Sequence, residues 1–152
     1  MKIYLDNCCF NRPYDDQNYR EIAADTDAKL AIQTGIKTGK IMLVWSSILD
    51  FENSANSEKQ IQREIFTWRS LASEIIIINE PIIARGKEFE TLGFSKKDAL
   101  HISCAIAAEC DYFVTVDKGI IKKRDYIAGI AIKSAIEAKK LLEGENADGH
   151  RN

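Results

Sequence analysis

Four acids in this chain stand where an acid is either a turn residue or a ligand. Asp6 closes the apolar run 2–5, and Asp117 closes the apolar run 112–116. Asp98 follows Ser95 by three residues. Glu52 lies one turn into a segment opened by Ser46 and Ser47, on the face that carries Ile48 and Ala55. A carboxylate on an apolar face is costly to bury unless something compensates its charge. Carboxylates that converge also repel one another and bind protons more tightly, unless a hard cation is present. Magnesium or manganese prefers oxygen ligands and keeps several waters. Such an ion acidifies a bound water, stabilises charge on a phosphoryl oxygen and aligns nucleophile with leaving group. Phosphodiester hydrolysis is the reaction that most needs all three effects. Asn7, Ser47 and Thr115 stand close enough in sequence to hydrogen-bond the acids or a bound water.

Each acid also has a plainer explanation. Asp6 and Asp117 suit turns or helix caps, Asp98 suits the reciprocal partner of a Ser95 cap, and Glu52 suits a solvated helix face. Asp50 competes with Glu52. A helix turns about 100° per residue, so the two point to different sides and only one faces a site.

The elements that must position these acids alternate between strand and helix. Residues 2–5, 41–45, 75–78 and 112–116 read as strands, with a short fifth at 130–132. The run 41–45 is continuously apolar, as in a strand buried on both faces. Helices are predicted over about 19–38, from Ser46 or Ser47 past Ala55, through 71, from Pro81 to 92, over 99–109 and over 134–142. In the helix over 19–38, Ile22, Ala23, Leu30, Ala31 and Ile36 form the expected inner face. Such alternation implies a parallel sheet covered on both faces by right-handed crossovers. Ligands of such sheets bind beyond the carboxyl ends of the strands, where Asp6 and Asp117 fall on one edge.

At 152 residues the chain fits one domain, predicted over residues 1–143, with a polar tail over 144–152 expected to be disordered. No apolar run approaches the length needed to cross a bilayer, and Asp6 interrupts any apolar signal-peptide centre, so a cytoplasmic protein without membrane contact is expected. The net charge is −2 and the pI about 5.7, which counts modestly against a nucleic-acid partner. Local charge matters more: Arg12, Lys96, Lys97, Lys118, Lys122 and Lys123, with Arg20 and Arg124, suit a basic rim that would hold a phosphate backbone around an acidic centre. A solvated lysine-rich helix explains them equally well. Cys8, Cys9, Cys104 and Cys110 read as reduced, small apolar side chains. A zinc site from Cys8, Cys9, His101 and Cys104 lacks the usual paired spacing. His101, one turn after Asp98, reads as a packing residue rather than a general base.

The segments Ile3-Tyr-Leu-Asp6-Asn7, Ser46-Ser47 followed by Glu52, Lys97-Asp98-Ala-Leu-His-Ile102 and Val114-Thr-Val-Asp117 resemble, in order, the four acidic motifs of PIN-domain ribonucleases. The likeness runs to about Leu142. It implies a three-layer α/β/α sandwich around a mostly parallel sheet of four or five strands. It also implies Mg2+- or Mn2+-dependent endoribonuclease activity, with Asp6, Glu52, Asp98 and Asp117 as catalytic acids and Asp6, Asp98 and Asp117 holding the metal. Asn7 and Thr115 would assist. RNA would be the substrate, and an antitoxin protein and a second copy of the chain would be partners, since many such proteins are dimeric toxins of toxin–antitoxin pairs. The loop departs from the family pattern: relatives commonly have Thr or Ser after the first aspartate, and this chain has Asn7-Cys8-Cys9.

Two other functions fit parts of the pattern. A PIN-like module that binds RNA or protein without cutting would share the fold, although it need not retain all four acids. A phosphatase with an aspartyl nucleophile at Asp6 wants a second acid two residues on, where this chain has Cys8.

Overall fold

The structure, a computed structural model, describes residues 1–15, 17 and 19–150, without the side chains of 12, 21 and 145–150. Strand β1 (Lys2–Leu5) leads into the short helix α1 (Asn7–Asn11), a 3-10 turn (Arg12–Tyr14) and the long helix α2 (Arg20–Lys37). Strand β2 (Met42–Ser46) is followed by α3 (Ser47–Ser54), α4 (Lys59–Phe66) and a 3-10 turn (Thr67–Leu71). Strand β3 (Glu74–Ile76) precedes the helix pair α5 (Glu80–Glu90) and α6 (Lys96–Ala107). Strand β4 (Tyr112–Thr115), α7 (Lys118–Lys122), a 3-10 turn (Arg124–Tyr126), β5 (Ala131–Ser134) and α8 (Ala135–His150) complete the chain. The backbone of α8 thus runs past Gly144; the tail expected from there on falls largely on side chains outside the described residues.

The five strands form one all-parallel sheet in the order β3-β2-β1-β4-β5. This is the α/β sandwich that the alternating pattern predicts. From β1 the chain first builds outward through β2 and β3, then returns to add β4 and β5 on the other side. The order therefore reverses between β1 and β4, which is where an open parallel sheet leaves a crevice at its carboxyl edge.

Register decides what faces that crevice. Leu5 pairs with Val114 and Tyr4 with both Phe113 and Val44. The backbone N–H of Asp6 continues the ladder to the Val114 carbonyl, 2.9 Å away. Side chains alternate along a strand, so Tyr4 and Asp6 share one face with Ser46, Phe113 and Thr115. Ile3, Leu5, Trp45 and Val114 fill the other. Helices α5 and α6 pack together against the first face, and α2 and α8 against the second.

Local chemistry sets the helix starts. Ser46, Asn79 and Ser95 each accept a backbone N–H at the first turn of α3, α5 and α6, each cap contributing about 1 kcal/mol. Two expectations are corrected. The inner face of α2 carries Ala28, Lys29, Ile32 and Ile36, all buried, whereas Leu30 is 48% exposed. Strand β2 begins at Met42, itself 48% exposed, whereas Ile41 before it and the residues from Leu43 to Ser46 are buried.

Candidate active site

Asp6 is the centre of the carboxyl-edge cluster. Its Oδ2 accepts the hydroxyl of Thr115 at 2.9 Å, and its Oδ1 accepts the backbone N–H of Asn7 at 2.8 Å. The thiol of Cys8 donates to Oδ2 at 3.4 Å. Thr115 reaches Asp6 because the β1–β4 register puts them side by side, and it turns a second bond outward: the N–H of Asp117 donates to Thr115 Oγ1 at 3.0 Å. Asp6 is buried. That burial, with Glu52 nearby, pushes its carboxyl above the usual range.

Asp98 and Asp117 flank it. Asp98 lies in the first turn of α6, half-buried, and its N–H donates to Ser95 Oγ at 3.2 Å. Burial, and then the charges of Asp6 and Asp117, raise its carboxyl. Asp117 caps α7, its Oδ1 accepting the N–H groups of Gly119 at 2.8 Å and Ile120 at 3.2 Å. The Asp117 side chain is itself the cap of α7, whereas the cap at Asp98 uses its backbone N–H.

Glu52 is held differently. Burial favours its neutral form, but the hydrogen bond from His101, with Lys97 and Asn7 beside it, brings its carboxyl below the usual range. His101 Nε2 bonds Glu52 Oε1. His101 Nδ1 lies 2.5 Å from the Tyr4 hydroxyl, which lies 2.5 Å from Ser46 Oγ. His101 is buried, as a packing residue would be, yet it also joins β1 to α3, and nothing in the spacing of the sequence signals that link. Asp50 turns away: its carboxylate accepts the Trp45 indole N–H at 2.8 Å and pairs with Arg69 at 3.3 Å. Glu52 is the acid of this helix that faces Asp6.

The expected helpers divide. Thr115 and Asn7 are at the cluster, and Asn7 Oδ1 is a buried acceptor without a hydrogen-bond partner among the described residues. Ser47 is not at the cluster; its Oγ accepts the N–H of Ile78 at 3.1 Å and ties α3 to the end of β3. Of the basic residues, Lys96, Lys97, Lys118 and Lys122 are exposed. Lys123 is committed to the Gly93 carbonyl at 2.7 Å, and the side chain of Arg12 lies outside the described residues.

Among the described residues no group of three or more His, Cys, Asp or Glu side chains is arranged to hold a metal ion. The donor chemistry nevertheless fits a hard cation. The groups at the edge are oxygens, two of the three carboxyls are shifted toward their protonated form by burial and mutual charge, and Asn7 adds an unpaired buried oxygen. Cys8 does not suggest a soft-metal site, because its bond to Cys9 and its burial push the thiol well above its ordinary range. No helix among the described residues is long and apolar enough to cross a membrane.

No family model matches the chain, and no curated protein matches it. Among solved structures, a chain of VapBC2 from Rickettsia felis, solved bound to a DNA fragment from their promoter, superposes with a TM-score of 0.54. The two are 18% identical, and the match covers 88% of this chain and 98% of that one. At that identity the likeness shows a shared fold.

Proposed function

We propose that this chain is a divalent-metal-dependent endoribonuclease of the PIN type. The observation that carries the proposal is that β1 and β4, adjacent at the switch point of the sheet, lead at their carboxyl ends into Asp6 and Asp117. Burial, and then the charges of Asp6 and Asp117, raise the Asp98 carboxyl, and the Asn7 side-chain oxygen is buried without a hydrogen-bond partner among the described residues. Repulsion of this kind is relieved by a cation. Asp6, Asp98 and Asp117 are the residues proposed to hold Mg2+ or Mn2+. When bound, the ion would lower the pKa of a water and stabilise charge on the phosphoryl group.

The chain's own residues do the rest. Thr115 orients Asp6 and, through its bond from the Asp117 N–H, keeps the two acids in fixed relation. Lys97 and Lys118, exposed beside Asp98 and Asp117, are suited to contact the phosphate backbone. Glu52 stands near enough for its charge to be felt at Asp6 but outside the three proposed metal-holding acids. By analogy with the VapBC2 complex, and from the motif resemblance, the chain is further proposed to act as a toxin restrained by an antitoxin protein, as a dimer in the cytoplasm.

The test is cleavage of mixed RNA substrates with manganese, comparing the wild type, a chelated control and Asp6→Asn. Cleavage by the wild type, and its loss in the other two, is expected, with the circular dichroism of the variant unchanged. RNA that is bound yet stays intact with every metal would instead favour an inert binding module. A variant that cuts like the wild type would remove Asp6 from the site.

A further inference from the structure

Glu52 terminates a chain of buried side chains that the three aspartates do not use. Ser46 at the end of β2, Tyr4 within β1 and His101 in α6 are all buried. The Tyr4 ring is stacked on Phe113, with centroids 5.6 Å apart and 13° between planes. Its hydroxyl is therefore fixed between Ser46 Oγ and His101 Nδ1, at 2.5 Å from each.

Counting hydrogens sets the direction of every bond. An ionised Glu52 only accepts, so His101 carries its hydrogen on Nε2. A neutral imidazole with that hydrogen has its lone pair on Nδ1, so Tyr4 O–H donates to it. Ser46 O–H then donates to the Tyr4 oxygen, and Ser46 Oγ accepts the N–H of Leu49 at 3.2 Å. Each hydrogen is used once and each points toward Glu52. The reverse sense would place an imidazolium out of contact with water and leave the Ser46 hydrogen without an acceptor among these bonds.

We infer that His101, held in its Nε2–H form by Tyr4 and Ser46, is a positioning residue that fixes Glu52 as a carboxylate outside the metal set, aimed to accept a hydrogen bond from the attacking water. The role of the water rests on the nuclease reading; the directed chain does not. The Asn7 side chain steadies Glu52 from the other direction. Two anchors on one carboxylate suit an acid whose work depends on its angle to a reactant.

Two measurements separate these parts. In long-range 1H–15N spectra of the wild type, the imidazole of His101 should show an Nε2–H tautomer with unprotonated Nδ1. Its signals should move on Glu52→Gln and on Tyr4→Phe. A ring protonated on Nδ1, or signals indifferent to both substitutions, would overturn the chain. In manganese-dependent RNA cleavage, His101→Asn, which places no donor at Nε2, should lower kcat about 10- to 100-fold with KM nearly unchanged, the usual effect of removing a partner behind a reacting group. His101→Gln, whose amide reaches the Nε2 position, should recover most of that loss, and Tyr4→Phe should lower kcat by less than His101→Asn. A change in KM alone, or wild-type kcat in His101→Asn, would refute the positioning role. A wild type inert on RNA would remove the nuclease reading, and the imidazole signals would then decide the chain by themselves.

Discussion

The two faces of the sheet bury polar groups by opposite means. On the face of Tyr4, the hydroxyls of Ser46, Tyr4 and Thr115, the imidazole of His101 and the carboxylates of Asp6 and Glu52 all find partners among themselves. On the face of Trp45, Lys29 is fully buried and its Nζ has no hydrogen-bond partner among the described residues. It sits over the ring of Phe10, 4.3 Å from the centroid, and 5.2 Å from that of Trp68. Phe10 in turn meets Trp45 edge-on at 5.2 Å. The contrast separates a network that fixes geometry from a lone charge that the aromatic faces only partly compensate. One face is built to hold side chains at set angles, and the other tolerates a charge it does not use.

The difference can be broken from either side. The largest effect is expected at His101→Leu. It strands the Tyr4 hydroxyl and Glu52 in a buried site, and losing one partner of such a pair costs about 3 kcal/mol. Urea unfolding measures it, and a loss under 1 kcal/mol would mean the network is slack. Lys29→Met should act in the opposite direction and stabilise the protein by about 2 kcal/mol at neutral pH, since burial lowers the lysine to about 8 from 10.5. The sign follows from linkage. The unfolded lysine holds its proton more tightly than the folded one, so wild-type stability rises between pH 8 and 10.5 and the advantage of the methionine variant shrinks over that range. Parallel stability curves for the two proteins would show that Lys29 bears no penalty.

A smaller effect belongs to the acids. Asp6 and Asp98 are raised in the folded chain, so the stability they contribute at acid pH is lost as pH rises through their folded values. Manganese should restore it, raising Tm at pH 7. In Asp98→Asn the acid-side slope should flatten, by less than about 1 kcal/mol for a half-exposed group, and the manganese shift should fall with it. An unchanged shift would place the ion elsewhere. Asp50→Asn should matter least. It weakens the contacts to Trp45 and Arg69, lowers stability by about 0.5 kcal/mol and leaves RNA cleavage as it is.

What the sequence reveals follows the reach of its signals. Leu5-Asp6 and the approach to Asp117 are legible because an apolar run that stops at an acid marks both a strand end and a polar edge. The strand order follows less directly, but alternation alone implies parallel pairing. Lys29 was not legible, because hydropathy assigns Leu30 to the interior and a rotation of one residue along α2 is enough to exchange them. The division of Ser46 from Ser47 was not legible either. Both are suitable caps, and only the pairing of β2 shows which one points at Tyr4. The partnership of His101 with Glu52 joins residues 49 apart in sequence, and no periodicity carries that information.

The bond between Thr115 and Asp6 spans 109 positions of the chain. The carboxylate cluster is therefore incomplete until β4 has been synthesised and has docked beside β1. Any activity of the cluster is thereby postponed until the central sheet has closed.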